Sequence, residues 1–274
     1  MKAEIVNLLG HSVFVRYRIK ENGKPPLLFI HGIGESGRCF FDAYGLLTDY
    51  SVIVPDLLGF GKSEKVKDGP DYSFSNQLRI LGELIDYFDL RDIIIVGHSY
   101  GGVLGTFMCG DDEKRRIKKF VNIEGCITRD TLVLSTNAVR ALGQLKHDMP
   151  EFGKWLHEGG FKKILLEDNE SASTIKYFDS VIECDPEAFA QTAEELVRRT
   201  EREDEFGNNE ISLAYKGLEL PRIFCAGTRP AMDSTKGFLS GNNLECREFN
   251  VASHWVMLDR REEFYAFLDG FIRA

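Results

Sequence analysis

One stretch constrains this chain more than any other: Ile93-Ile94-Ile95-Val96-Gly97-His98-Ser99-Tyr100-Gly101-Gly102. The β-branched apolar run reads as a fully buried strand, and Val103, Leu104, Thr106, Phe107 and Met108 after it read as a buried helix. Between them Gly-x-Ser-x-Gly makes a strand, a sharp turn and a helix, with Ser99 at the turn. Such a turn forces the serine into a strained backbone conformation. Glycine is needed at 97 and 101 because a Cβ there collides with the neighbouring strand or helix. Ser99 is thereby pushed up beside a helix N-terminus, where a hydroxyl can serve as a nucleophile. A glycine-rich turn with an incidental serine, or a phosphate loop, would share the composition but not this flanking context.

The rest of the chain alternates strand and helix. Ala3 to Leu9 and Ser12 to Ile19 are strand-like runs joined at Gly10-His11, an expected antiparallel edge. Leu27 to Ile30 is a buried strand running into His31-Gly32-Ile33-Gly34-Glu35-Ser36-Gly37, whose spacing matches neither a dinucleotide fingerprint nor a P-loop. Ser51 to Asp56 is the next strand. Ser73 or Ser75 caps a helix with apolar positions Leu78, Leu81, Leu84, Ile85 and Phe88. After the Ser99 turn, Phe120 to Ile123 is a further buried strand ending at Glu124-Gly125. Strand signals then give way to helical patterns around 132–145, 151–156, 171–178 and 186–198, with Pro150 and Pro186 as boundaries. The densely charged run from Glu194 to Glu205 reads as a solvated face. Strand patterns resume at Pro221 to Gly227 and Leu244 to Val251, followed by Ser253-His254-Trp255, and Phe264, Phe267, Leu268 and Phe271 mark a final helix. The expected organisation is a core of residues 1–125 and 221–274, with residues 126–220 inserted as a helical cap.

The Ser99 stretch resembles the nucleophile elbow of the α/β-hydrolase superfamily. Two further motifs carry the resemblance, His31-Gly32-Ile33 and the P-D-x-x-G-x-G-x-S run from Pro55 to Ser63. It implies an α/β fold, a mostly parallel central sheet flanked by helices. In such a sheet ligands sit at the carboxyl ends of the strands, and Ile33, Ser99, Glu124, Gly227 and His254 all lie just past such ends. The resemblance implies an oxyanion hole from the backbone N–H groups of Ile33 and Tyr100. It also implies a histidine base after the last strand. His254 fits, whereas His11 is in an edge turn, His31 and His98 belong to the two motifs, and His147 and His157 belong to the cap. Asp56 reads as a loop-fixing carboxylate.

The acid departs from the common pattern. Most members carry an Asp about three residues past the glycine that ends the penultimate strand, where this chain has Pro230. Some place a carboxylate after the preceding core strand, which here is Glu124. Glu124 is favoured as the triad acid, with Asp233 the alternative.

The resulting expectation is a serine hydrolase acting on a small-molecule acyl substrate, foremost a carboxylic ester, without metal or organic cofactor. Lactone, amide, thioester and carbon–carbon bond hydrolysis stay open, as does a small-ligand receptor on the same fold with slow or no turnover. A serine at the elbow disfavours dehalogenase and epoxide hydrolase chemistry, which uses an Asp in this superfamily. The net charge of −9 argues against nucleic acid or an anionic membrane surface as partner. No apolar run approaches the ~20 residues of a membrane span. The first residues lack a signal-peptide pattern and the six cysteines lack C-x-x-C spacing, so a cytoplasmic location is expected. Oligomeric state and the physiological substrate are not legible.

Overall fold

The computed structural model describes residues 1–167, 171–228 and 232–274. Its centre is an eight-stranded sheet in the order β1-β2-β4-β3-β5-β6-β7-β8. The strands are β1 (Lys2–Leu8), β2 (His11–Arg18), β3 (Leu27–Ile30), β4 (Val52–Pro55), β5 (Ile93–His98), β6 (Ile117–Ile123), β7 (Arg222–Gly227) and β8 (Cys246–Phe249). β1 and β2 form the antiparallel edge hairpin, and β2 pairs antiparallel with β4. Every later pairing is parallel. Leu9 and Gly10, at φ 54° and 89°, make the hairpin turn in the left-handed region that a two-residue connection of twisted strands requires. All residues of β3, β4 and β5 are buried, as unbroken apolar strands covered on both faces must be.

Helices α1 (Ala43–Leu46), α2 (Phe74–Tyr87) and α3 (Tyr100–Gly110) connect the first strands. Between β6 and β7 lie α4 (Val133–Gln144), α5 (Met149–Glu158), α6 (Gly160–Glu167), α7 (Ala172–Val181), α8 (Pro186–Thr200) and α9 (Glu210–Lys216). α10 (Asp233–Gly241) joins β7 to β8, and α11 (Val256–Asp259) and α12 (Arg261–Arg273) end the chain. The starts of α2, α5, α7, α8 and α9 follow ordinary capping chemistry. Ser73, not Ser75, caps α2 by accepting from Asn76 N, and Asp148 and Asp185 cap α5 and α8 just ahead of Pro150 and Pro186. The last strand is shorter than its pattern suggests. Cys246, Arg247 and Glu248 are exposed and Val251 sits at φ 59°, so the extended run breaks before residue 251.

Two glycines fix how the elbow sits on the sheet. A Cβ on Gly97 would lie 2.3 Å from the carbonyl oxygen of Gly101, and one on Gly101 would lie 2.0 Å from the carbonyl oxygen of Ile30. The start of α3 therefore packs backbone to backbone on the ends of β3 and β5. By contrast a Cβ on Gly82, inside α2, would meet nothing within 4 Å. Gly101→Ala should lower unfolding free energy by on the order of 3 kcal/mol or more, since backbone cannot yield as a side chain can. Gly82→Ala should raise it by about 0.5–1 kcal/mol through helix propensity. Urea unfolding of both variants checks the contrast, and a tolerated Gly101→Ala would contradict the close approach.

Candidate active site

The parallel register carries the loops after β3, β5, β6 and β7 to one edge of the sheet. Ser99 follows β5 in a strained conformation, φ 50° and ψ −117°, while its amide donates to Ile123 O at 2.9 Å. A non-glycine residue in that region costs about 1–3 kcal/mol. The conformation turns the chain sharply enough for α3 to start at the next residue. Ser99 is buried, and the loop after β3 crosses directly beside it, so that a Cβ on Gly32 would lie 2.9 Å from Ser99 Cβ.

Glu124 follows β6 and is also in the left-handed region, at φ 46°. Its amide donates to Cys225 O at 3.0 Å, and Gly227 N donates to its Oε1 at 2.7 Å. The other oxygen, Oε2, lies 2.8 Å from His254 Nδ1. Paired with a carboxylate, Nδ1 carries the proton and Nε2 is left as the basic nitrogen. The structure thus brings Glu124 and His254 together across the ends of β6, β7 and β8. Asp233 is instead exposed on the first turn of α10. Pro230 lies outside the described residues.

The amides of Ile33 and Tyr100 donate to no protein acceptor among the described residues, and Tyr100 opens α3, where an amide has no intrahelical partner. His31 holds the loop that carries Ile33. Its Nε2 accepts from Leu57 N at 2.9 Å, which requires a neutral ring with the proton on Nδ1, and that nitrogen donates to Gly32 O at 2.8 Å. Burial pushes the His31 imidazole below its ordinary pKa, against the pull of Asp56, in agreement with this tautomer. Asp56 fixes the same region. It accepts from Gly37 N at 2.7 Å, Lys62 N at 2.8 Å and Arg16 Nη1 at 2.6 Å.

A second buried acid and histidine stand beside Glu124 and His254, and nothing in the sequence pattern singles them out. Glu35 Oε2 accepts from Gly32 N at 2.6 Å and His98 Nδ1 at 2.8 Å, and Oε1 accepts from Trp255 Nε1 at 2.7 Å. His98 Nε2 lies 3.0 Å from His254 O. Both ring nitrogens of His98 therefore face acceptors, so both carry protons and the ring is an imidazolium. Burial alone opposes charge on either group. It pushes Glu35 up, but the charge and hydrogen bond of His98 hold the carboxyl down, to about 2. Burial likewise disfavours the charged His98 ring, and Glu35 overrides it and raises the pKa. The imidazoles of His98 and His254 lie 4.6 Å apart, centre to centre.

The helices between β6 and β7 reach this edge. Tyr177 of α7 donates its hydroxyl to Ile33 O at 2.9 Å, and its ring lies 5.0 Å from that of Trp255. Ser173 of the same helix bonds Asp259. No group of three or more His, Cys, Asp or Glu side chains able to hold a metal ion occurs among the described residues.

Comparison with known proteins agrees with this architecture. A family model described as the alpha/beta hydrolase fold matches residues 25–156. An uncharacterized protein of Mycobacterium tuberculosis is 38% identical over 93 residues, 34% of this chain and 26% of that protein. A haloalkane dehalogenase of Psychrobacter cryohalolentis is 30% identical over 94 residues, 33% of this chain and 30% of that enzyme. The chain thus spans less than a third of the length of these curated relatives. An esterase from Exiguobacterium antarcticum superposes over 100% of both chains with a TM-score of 0.74 at 16% identity, which is a likeness of fold.

The Glu35–His98 pair sets a pH dependence of stability. Glu35, depressed from 4.5 to about 2, contributes stability that is complete above pH 4.5 and lost as pH falls towards 2. His98, raised above 6.5, contributes stability that is complete below pH 6.5 and lost as pH rises through the raised value. The difference in unfolding free energy between the parent and Glu35→Gln should therefore be largest between about pH 4.5 and 6.5 and shrink on either side. Denaturant unfolding across pH 3–9 measures it. A difference independent of pH would contradict a charged pair.

Proposed function

The chain has the α/β-hydrolase fold, and from that premise we propose that it is a serine hydrolase that cleaves carboxylic esters through an acyl-enzyme on Ser99. The observation that carries this reading is the 2.8 Å contact between Glu124 Oε2 and His254 Nδ1 beside a serine held at φ 50° on the elbow. An alcohol is a poor nucleophile at neutral pH and needs a base to take its proton. With Nδ1–H committed to Glu124, the lone pair on His254 Nε2 is the base. Ser99 Oγ attacks the acyl carbon as its proton passes to Nε2. The carbonyl oxygen becomes an oxyanion facing the amides of Ile33 and Tyr100, each such donor being worth about 3–4 kcal/mol to the transition state. Collapse expels the alkoxide, which takes the proton from Nε2. A water then gives its proton to Nε2 and attacks the acyl carbon, and Ser99 leaves with the proton restored. Glu124 stays ionised throughout and stabilises the imidazolium.

Residues 126–220 act in this reading as a cap that chooses the substrate. Its support is the contact of Tyr177 with Ile33 and Trp255, which ties α7 to the loops on both sides of the serine. The dehalogenase likeness does not carry over in chemistry, because residue 99 is a serine and that reaction uses an Asp nucleophile in this superfamily.

Ser99→Ala should abolish both ester hydrolysis and labelling by a fluorophosphonate while leaving the fold intact. Glu124→Gln should lower kcat by about 10⁴ with little change in KM, as loss of the carboxylate does in a comparable triad. Asp233→Asn should stay within a few-fold of the parent. Steady-state kinetics on esters of graded acyl length gives the ranking. An inactive Asp233→Asn with a nearly normal Glu124→Gln would reassign the acid, and binding without turnover in the parent would favour a receptor. Exchange of residues 126–220 for those of another family member should move the preferred acyl length while keeping fluorophosphonate labelling. Retention of the original preference would place specificity in the core loops.

A further inference from the structure

Glu35 takes no part in the chemistry proposed above, yet three donors to its carboxylate each adjoin a residue that does. Gly32 precedes Ile33, the oxyanion amide. His98 precedes Ser99, the nucleophile. Trp255 follows His254, the base. One carboxylate thus holds the chain neighbours of all three groups, at 2.6, 2.8 and 2.7 Å. His98 closes the arrangement by spanning from Glu35 to the carbonyl oxygen of His254 at 3.0 Å. Resting on the serine-hydrolase reading, we propose that Glu35 is a positioning residue that locks the loop after β3, the elbow and the loop after β8 into one geometry.

The need for such a lock follows from the fold. The parallel register fixes where β3 and β5 end, but Gly32-Ile33-Gly34 is a glycine-rich loop, and His254 follows a strand of only four residues, Cys246–Phe249. Neither loop is held by the sheet ladder. Catalysis is sensitive at this scale, since a misplacement of about 1 Å can cost 10²-fold. A carboxylate suits the position because all three neighbours are donors and it offers only acceptors. Glutamine, of the same shape, must turn its NH₂ towards at least one N–H. The site is buried, with Glu35 3% exposed, so water cannot relieve the mismatch. Trp255 contributes twice, through its Nε1–H to Glu35 and through its ring, which lies 5.3 Å from that of His254.

The test is Glu35→Gln, with rates normalised to the fraction of sites titrated by a fluorophosphonate. A small activated ester such as p-nitrophenyl acetate serves as substrate, and an alkyl boronic acid, which forms a tetrahedral adduct on the serine, serves as transition-state mimic. Normalised kcat should fall 10²- to 10³-fold with KM within about threefold, and boronate affinity should weaken in proportion to kcat/KM. A purely structural role would lower the titratable fraction and leave the normalised values unchanged, which would overturn the proposal. Should Glu35→Gln not fold, Trp255→Phe removes one of the three donors and keeps an aromatic ring. It should lower normalised kcat about 3- to 10-fold at constant KM, and a parent-like value there would overturn the proposal instead. A parent that neither hydrolyses esters nor takes the label overturns the serine-hydrolase reading, and this inference with it. An active parent with an unaffected Glu35→Gln overturns this inference alone.

Discussion

The candidate site depends on one close approach of backbone to backbone. The first turn of α3 lies against the carbonyl of Ile30, with no room for a side chain on Gly101. That contact holds the helix start at the end of β3, and the register of β3, β5, β6 and β7 then decides what else arrives there. Ser99, Glu124 and the loop around Ile33 are each the next residues along from a strand end. Their proximity follows from strand pairing, and none of the three needs a dedicated element to carry it.

The local costs of this arrangement are visible in the backbone. Ser99 and Glu124 both occupy the left-handed region without being glycine. Each is held there by backbone hydrogen bonds to an adjacent strand, from Ser99 N to Ile123 O and from Glu124 N to Cys225 O. Strain of about 1–3 kcal/mol per residue persists only where the surroundings over-determine the conformation, and parallel strands on both sides of β6 do so. Charge is handled similarly. Glu35 and His98 are buried together, and the charge and hydrogen bond of each are the largest support for the charged form of the other. Removing one partner leaves an uncompensated buried charge, which is costlier than removing both.

What is legible in advance is whatever is local in sequence. The buried strand, the glycines of the elbow and the serine between them lie within ten residues, and apolar periodicity locates α2, α4, α5, α7 and α8 to within a few positions. Glu124 and His254 are candidates because strand ends are legible and the sheet is parallel. Glu35 is not, because its partners are Gly32, His98 and Trp255, and only folding brings the last two, 63 and 220 residues away, to its carboxylate. A glutamate in a glycine-rich loop has no periodicity to mark it as buried. The short helices α6, α9 and α10 escape for a related reason. Too few turns exist to establish an apolar stripe, and α9 is announced only by the reciprocal cap between Asn209 and Ser212.

The central claim is that Ser99 forms a covalent acyl intermediate. Mixing the protein with p-nitrophenyl acetate, quenching in acid within the first turnovers and digesting for mass spectrometry tests it directly. The account predicts a burst of up to one equivalent of p-nitrophenol, and an acetyl group on the peptide that contains Ser99 which disappears as turnover ends. Steady hydrolysis with no adduct at any time under conditions where acylation is faster than deacylation, or an acetyl group on a residue other than Ser99, would contradict it.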